Sequence, residues 1–98
     1  MAEPRFEWDE KKRRSNKKKH GVSFEEALTG FSDENALLVA DPDHSNEEDR
    51  FSLLGLSAQL RMLVVCHCYW ERAEIIRLIS ARKATRVERE QYNKRWKK

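Results

Sequence analysis

Five segments of the chain have the length of β-strands and are either alternately apolar and polar or continuously apolar. The alternating or continuously apolar segments are residues 5–8, 36–40, 51–57, 61–70 and 74–80. The segment 61–70 begins with residues that are apolar on both faces, which is typical of a strand in the middle of a sheet. Because the last four segments follow one another through connections without a helical pattern, the sequence predicts an antiparallel meander.

The first predicted helix has no apolar residue at all. Asp9 is a suitable N-cap, the helix covers residues 10–20, and Gly21 fits the position just past its end. A helix that cannot bury an apolar face usually exists because its charge is used or because its side-chain stems lie on a surface. Since the charge of this helix is mostly positive, a polyanion is its natural partner.

Two further helices are predicted from capping patterns. Ser23 and Glu26 form a capping box, and an apolar stripe follows at i, i+3, i+4 and i+7. The stripe consists of Phe24, Ala27, Leu28 and Phe31. Thr85 and Glu88 form a second capping box at the start of a helix that continues to the end of the chain. The predicted order is β-α-α-β-β-β-β-α, an α+β fold.

The length of 98 residues predicts a single domain over 1–98 with a modest core. No apolar run has the length of a membrane span, and residues 1–20 lack the apolar core of a signal peptide. We therefore expect a cytoplasmic protein that does not bind a membrane.

The net charge of +3 is unevenly distributed along the sequence. Residues 10–20 have a net charge of +6, residues 21–60 a net charge of −8, and residues 82–98 a net charge of +6. This layout suits binding to a nucleic acid, to an acidic protein, or to both. The alternative is that the two cationic segments are simply solvated helix faces.

Cys66 and Cys68 flank His67 in the longest predicted strand. A Cys-x-Cys pair is too close for a typical structural disulfide, and the chain has no second cysteine pair for zinc. On a strand both sulfur atoms share one face and His67 lies on the other. We expect the cysteines to be small buried residues, and we predict neither a metal ion nor a cofactor.

Three groups of residues, in this order and spacing, resemble the BrnT family of toxins. The opening group is Phe6-x-Trp8-Asp9-x-x-Lys12-x-x-x-Asn16-x-x-Lys19-His20-Gly21-Val22-Ser23-Phe24-Glu25-Glu26-Ala27. The middle group is Asp41-Pro42-x-His44-Ser45 with Glu48-x-Arg50-Phe51. The closing group is Ile76-x-x-Ile79-Ser80-Ala81-Arg82-x-Ala84-Thr85 with Glu88 and Tyr92. The resemblance extends over residues 6–92.

The resemblance implies a toxin of a type II toxin–antitoxin pair with the fold of RelE-like ribonucleases. Such toxins cleave RNA and inhibit translation. Their reaction is a transesterification in which the ribose 2′-oxygen attacks the adjacent phosphorus without a metal ion. The implied partner is a BrnA-like antitoxin of ribbon-helix-helix type, and the complex of the two proteins binds operator DNA.

The candidate catalytic cations lie where the predicted sheet meets the last helix. Arginine suits a developing phosphorane because its planar fork matches phosphate oxygens and keeps its charge. Arg77 lies among apolar residues, where an unpaired charge is costly, so the alternative is an ion pair with Glu74 or Glu48. Arg82 and Lys83 are expected after the last strand and before a helix N-terminus, although such residues also occur in solvated turns.

Proton transfer would need a further group, and two residues qualify. His67 interrupts an apolar strand, and a histidine titrates near neutrality, although a satisfied core histidine is the commoner case. Tyr92 lies on the last helix, in the region where RelE-like enzymes often place a tyrosine, and it is otherwise a core residue.

The candidate RNA contacts lie outside this region. Lys12 and Lys19 belong to the cationic helix, and Lys12 follows Trp8, which either stacks on a base or covers the sheet edge. Arg50 and Arg61 are weaker candidates because each begins a strand, where a cation often faces solvent.

Three functions remain open from the sequence. The first is a toxin endoribonuclease. The second is a non-catalytic module whose cationic faces bind an acidic antitoxin tail or operator DNA. The third is a small nucleic-acid-binding protein that places the helix 10–20 in a groove, where Asn16 is the one side chain suited to reading a base.

Overall fold

The chain forms a β-sheet with helices packed on both of its faces. The computed structural model describes residues 5–40, 49–70 and 73–94. The elements are β1 (Arg5–Glu7), α1 (Glu10–His20), α2 (Phe24–Gly30), β2 (Leu37–Ala40), β3 (Asp49–Leu56), β4 (Met62–Trp70), β5 (Ile75–Lys83) and α3 (Arg86–Lys94). The loop expected at 41–46, the connection expected at 71–72 and the end of the last helix lie outside the described residues.

The five strands form one sheet in the order β1-β5-β4-β3-β2. The strands β2 to β5 form the predicted antiparallel meander. The strand β1 pairs with β5 in parallel, and Glu7 lies opposite Arg77. The predicted α+β fold is confirmed, and the sheet is mixed because β1 runs parallel to β5 while the other neighbouring strands are antiparallel.

Both predicted ends of α1 are confirmed. The Asp9 carboxylate accepts a hydrogen bond of 2.7 Å from the Lys11 amide, and Gly21 has a φ of 71°, which glycine adopts without strain. The helix has no apolar face to hold it in place. It is attached to the sheet instead by Asn16, which is 5% exposed.

The Asn16 side chain pairs with the edge of β5 as a strand would. Its Nδ2 atom donates to the carbonyl of Ala81 at 2.8 Å and to that of Val22 at 2.9 Å. Its Oδ1 atom accepts from the Ala81 amide at 3.0 Å. A primary amide can satisfy both backbone groups of one residue. The expectation that Asn16 faces a groove of nucleic acid is therefore wrong, because its polar atoms are used inside the protein.

The helix α2 begins at the predicted capping residue, Ser23, but the side chain of Glu26 binds other groups than a capping box requires. Ser23 accepts from the Glu26 amide at 3.0 Å, as in a capping box. The Glu26 carboxylate, 5% exposed, binds the guanidinium of Arg61 and accepts from the Ser57 hydroxyl at 2.8 Å. The reason is that the burial of Glu26 requires a counter-ion, which Arg61 provides.

Two hydrophobic clusters lie on opposite faces of the sheet. The larger cluster is under α1 and α2 and contains Val22, Phe24, Ala27, Leu53, Leu63, Val65, Ile76, Leu78 and Ala81. The smaller cluster is under α3 and contains Leu54, Val64, Ala84 and Tyr92. We call the two sides of the sheet the α1–α2 face and the α3 face. Within the described ranges, no helix has the length and apolarity needed to cross a membrane.

The strand β5 is longer than predicted. The pattern predicted its end at residue 80, but its pairing with β4 continues to Lys83, which lies opposite Leu63. Arg82 and Lys83 are therefore strand residues and not residues of a following turn, as expected from the sequence. The physical reason is that continued backbone pairing with β4 outweighs the polarity of the two side chains.

Candidate functional site

An irregularity in β5 brings two of the candidate arginines to the same face of the sheet. Arg77 and Arg82 are five residues apart, so a regular strand would direct them to opposite faces. Cys66 pairs with Ser80 and His67 pairs with Leu78, which leaves Ile79 as an extra residue. As a result Arg77 lies opposite Cys68 and Arg82 opposite Val64, and both arginines are on the α3 face.

The guanidinium of Arg77 makes an exposed ion pair. Its Nη1 atom donates to Glu7 Oε1 at 3.1 Å, and the two side chains are 37% and 41% exposed. The expected partner was Glu74 or Glu48. Glu7 occupies this place because β1 lies beside β5. A single bond between exposed groups is weak, about 1 kcal/mol or less. A phosphate with two charged oxygens can therefore compete with Glu7 for this guanidinium.

The guanidinium of Arg82 is held much more firmly. It donates from Nη1 and Nη2 to the two oxygens of Glu88 at 2.8 and 2.9 Å. Glu88 Oε1 also accepts from the Thr85 amide at 2.8 Å, and the Thr85 hydroxyl accepts from the Glu88 amide at 3.2 Å, so the predicted capping box is confirmed. The Arg82 hydrogen bonds, with those from Thr85, lower the pKa of Glu88 to about 2. Arg82 thus joins the start of α3 to the sheet.

Between the two arginines lies a row of small side chains across three strands. Ser80, Cys66 and Ser52 are consecutive register partners, and each is partly buried. The next row contains Arg77, Cys68 and Arg50. The α3 face thus has a floor of small residues with Arg77 and Arg50 on one side and Arg82 on the other.

His67 lies on the α1–α2 face, away from these arginines. It is 3% exposed, and its ring contacts Phe31 at a centroid distance of 4.8 Å and Phe51 at 6.0 Å. Its Nδ1 atom donates to the Val65 carbonyl at 3.0 Å. Burial lowers the pKa of His67, so the ring is neutral at pH 7. The expected alternation, in which both cysteines face away from His67, is confirmed.

Tyr92 is on the side of α3 that faces the sheet, and it attaches this helix to the rest of the fold. It is 7% exposed, and its hydroxyl donates to Asp33 Oδ2 at 2.7 Å. The same oxygen accepts from the Leu56 amide at 2.9 Å. Hydrogen bonds from the Leu56 amide and from Tyr92 lower the pKa of Asp33 despite its partial burial. Tyr92 therefore connects α3, the end of β3 and the turn before β2.

Lys12 and Lys19 line one groove between α1 and β5. Its volume is about 360 Å³, and Ile79 and Ser80 form the β5 side. The neighbouring Trp8 packs its ring edge-on against Phe24, at a centroid distance of 5.9 Å, and is half-buried against the core. It is therefore a core residue beside the groove.

The remaining candidates, Arg61 and Lys83, line a separate depression of about 370 Å³ with Arg89. Arg61 forms an ion pair with Glu26, and its guanidinium also donates a hydrogen bond of 3.3 Å to the Gly21 carbonyl. The nine candidate residues are therefore distributed over four places: the α3 face, the α1 groove, this depression and the buried site of His67.

Comparison with known proteins identifies the family. The family model described as "Ribonuclease toxin, BrnT, of type II toxin-antitoxin system" matches residues 8–88. The chain belongs to the BrnT family of ribonuclease toxins.

The fold agrees with this family. The chain is similar to the crystal structure, at 1.1 Å resolution, of the Brucella abortus ribonuclease toxin BrnT. The TM-score is 0.62 and the sequence identity is 26%, over 85% of this chain and 99% of that one. A comparison with curated protein sequences found no match.

Two residues of this BrnT chain, Glu7 and Ser80, were missed in the sequence but lie at the sites just described. Glu7 pairs with Arg77, and Ser80 lies both on the α3 face and in the α1 groove. His20 lines the same groove. The spacing of Lys12, Asn16 and His20, one helical turn apart each time, was a signal that these residues share one side of α1. No local pattern connects Glu7 with Arg77.

The described residues of the BrnT chain contain no cluster of three or more metal-ligating side chains. Cys66 and Cys68 form no disulfide bond; the first is half-buried and the second is buried. The polar groups on the α3 face include the guanidinium groups of Arg77 and Arg82 and the hydroxyl groups of Ser52 and Ser80, which can donate hydrogen bonds to the oxygens of a phosphodiester.

Proposed function

We propose that this BrnT protein is an endoribonuclease that cleaves RNA without a metal ion, by attack of a ribose 2′-oxygen on the adjacent phosphorus. The observation that supports this most strongly is the half-exposed guanidinium of Arg77 beside the carboxylate of Glu7 on the α3 face. A cation and a potential base are thus 3.1 Å apart on one accessible surface.

The two groups suit the two requirements of the reaction. Arg77 binds the non-bridging oxygens and stabilises the charge that grows on the phosphorane. Glu7 accepts the proton of the 2′-hydroxyl. The bond between the 2′-oxygen and phosphorus forms, the bond to the 5′-oxygen breaks, and that oxygen takes a proton from water. The products are a 2′,3′-cyclic phosphate and a 5′-hydroxyl end.

We assign supporting roles to most of the other catalytic candidates. Arg82 adds positive charge at the far side of the small-residue floor while Glu88 keeps it in place. Tyr92 positions α3 through Asp33, and His67 packs beneath the strands that hold the floor. Lys83 adds charge at the end of β5 without a contact to this floor, since it lies opposite Leu63 on the other face.

Cleavage by the purified protein tests the proposal. RNA incubated in EDTA should acquire 2′,3′-cyclic phosphate or 3′-phosphate ends and 5′-hydroxyl ends, with or without ribosomes. Arg77→Ala should lower kcat by about 10²- to 10³-fold, as expected for the loss of one donor to a developing oxyanion. Arg77→Lys keeps the charge without the fork, and we expect partial activity.

The matched control is Arg86→Ala, which removes one arginine from an exposed pair at the start of α3. This variant should cleave like the unmodified protein. Glu7→Gln should lower kcat by about 10²-fold, because an amide cannot accept the proton. Absence of cleavage by the unmodified protein at micromolar concentration would refute the enzymatic function.

We also propose the finer features of the toxin–antitoxin system that the family resemblance implies. The partner is a small BrnA-like antitoxin of ribbon-helix-helix type, and the complex binds its operator DNA in the cytoplasm. Co-expression with the neighbouring short reading frame should yield one complex on size-exclusion chromatography, and operator DNA should shift only when both proteins are present. A neighbouring protein without DNA binding would contradict this assignment.

A second candidate function is a module that binds an antitoxin without catalysis. The observation in its favour is that Arg77 and Arg82 both already make ion pairs with carboxylates. The same variants distinguish the two functions. If Arg77→Ala and Glu7→Gln remain folded, bind the antitoxin and still arrest growth, the α3 face is not catalytic.

A further inference from the structure

The groove between α1 and β5 is lined by positive charge over nearly the whole length of the helix. Its cationic residues are Lys11, Lys12 and Lys19, His20 lines it as well, and its β5 side is Ile79 with Ser80. The residues of α1 recur one turn apart, so they form one continuous side of the helix. Among the residues that the structure describes, no acidic one lines the groove.

Among the described residues, none of Lys11, Lys12 and Lys19 makes an ion pair, and all three are exposed. On the side of α1 that faces α2, by contrast, Arg13 binds Glu10 at 2.9 Å and Glu25 at 3.7 Å. The fold thus compensates the charge of α1 on one side and leaves it available on the other.

The groove opens onto the α3 face at the bulge of β5. The strand β1 ends where Glu7 pairs with Arg77. Further along β5, the Asn16 side chain forms a hydrogen bond to the backbone of Ala81. The groove reaches the edge of the sheet between these two points, at Ile79 and Ser80. Ser80 also belongs to the row of small residues between Arg77 and Arg82. The two surfaces therefore meet at this residue.

We propose that this groove binds the sugar–phosphate backbone of single-stranded RNA next to the bond that is cleaved. This inference rests on the proposed ribonuclease function and adds an anchoring site for its substrate. The strand runs along α1, crosses the bulge at Ser80 and places its scissile phosphate at Arg77. The lysines contact phosphates, and they take no part in the chemical step.

The dimensions and lining of the groove fit a single strand of RNA. Lys12 and Lys19 are seven residues apart, which is about 10 Å along the helix axis, enough for a short run of successive phosphates. Apart from Ile79, the lining side chains are polar or charged. A bound peptide segment would need apolar anchors, which a surface of ammonium, hydroxyl and imidazole groups does not offer.

The test compares two double variants with equal loss of charge. Lys12→Gln with Lys19→Gln removes two groove lysines, whereas Lys17→Gln with Lys18→Gln removes two exposed lysines of α1 that do not line the groove. The probe is a fluorescein-labelled RNA decamer with 2′-O-methyl groups, which lacks the attacking hydroxyl. Its binding is measured by fluorescence anisotropy at salt concentrations from 50 to 200 mM.

We expect the groove variant to bind the decamer roughly tenfold more weakly at 50 mM salt. The slope of log K against log salt concentration should become shallower by about 1.4, since each phosphate contact to a single strand contributes about 0.7. The control variant should retain the slope of the unmodified protein. On cleavable RNA, the groove variant should have a raised KM with kcat within about twofold of the original.

Three outcomes would overturn the inference. The first is an equal loss of affinity in the two double variants. The second is a groove variant that binds the decamer like the unmodified protein. The third is an unmodified protein that does not bind the decamer at all. If the groove variant binds RNA normally but loses the antitoxin, the groove serves an acidic protein instead. Binding of the methylated decamer does not require cleavage. A protein that binds as expected but cuts no RNA would therefore refute the ribonuclease function and leave the groove assignment intact.

Discussion

The ion pair between Arg82 and Glu88 makes a quantitative prediction about the stability of the fold. The Glu88 carboxylate accepts two hydrogen bonds from Arg82 and one from the Thr85 amide. These bonds lower its pKa from the ordinary 4.5 to about 2. The substitution Glu88→Gln keeps the shape of the side chain and removes the charge, so it isolates the electrostatic part of this contact.

The magnitude follows from the change in pKa. One pKa unit corresponds to 1.36 kcal/mol, so the lowering to about 2 sets an upper bound of about 3 kcal/mol. Solvent screens the pair, because the Arg82 side chain is 42% exposed and that of Glu88 is 25% exposed. We therefore expect Glu88→Gln to reduce the free energy of unfolding by about 1 to 2 kcal/mol at pH 7.

The sign of the pH dependence is fixed by the direction of the shift. The pKa of Glu88 is lower in the folded protein than in the unfolded chain. The stabilisation is thus fully present above pH 4.5 and is lost as the pH falls towards about 2. The difference between the unmodified protein and Glu88→Gln should consequently shrink below pH 4.5.

Urea unfolding followed by circular dichroism at pH 7, 5, 4 and 3 measures this difference. The matched control is Glu90→Gln, since Glu90 binds Arg86 at 3.4 Å on the same helix and both side chains are more than half exposed. This control should change stability by no more than about 0.5 kcal/mol. A Glu88→Gln effect that equals the control, or that stays constant down to pH 3, would contradict the reasoning.

Three further substitutions test contacts that hold the surfaces in place. Asn16→Ala should lower the urea-unfolding free energy by about 2 to 3 kcal/mol, because both backbone groups of Ala81 lose their partner. Tyr92→Phe should cost about 1 kcal/mol in the same assay, through loss of the bond to Asp33. Gly55→Ala should lower Tm and cost about 1 to 3 kcal/mol, because its Cβ would lie 2.9 Å from the Gly30 carbonyl oxygen. Stabilities equal to that of the unmodified protein would show that these contacts contribute nothing.

The parts of the fold that depend on neighbouring residues could be predicted from the sequence. Asp9, Gly21 and Thr85 were identified as capping residues because a cap is defined by residues within one helical turn. The meander from β2 to β5 could be predicted because these strands follow one another through connections without a helical pattern. The α1 lysines of the groove could also have been predicted, because helical spacing alone places Lys12 and Lys19 on the same side of α1.

The parts that depend on distant residues could not be predicted. The parallel pairing of β1 with β5 is set by packing of the whole sheet, and with it the pairing of Glu7 with Arg77. The bulge at Ile79 has no sequence signal such as a glycine, yet it decides that Arg77 and Arg82 share a face. His67 was a candidate for proton transfer because a histidine titrates near neutrality. The face of the sheet on which it lies and its burial depend on the tertiary fold and could not be predicted from the sequence.

The pairing of the first strand with the last has a consequence for how the protein is made. Glu7 and Arg77 are 70 positions apart, and Arg82 follows still later. Synthesis proceeds from the N-terminus, and a contact between distant segments forms after nearer ones. A nascent or prematurely terminated chain that ends before β5 has neither arginine. The ion pairs of Arg77 with Glu7 and of Arg82 with Glu88 can therefore form only after β5 has been synthesised.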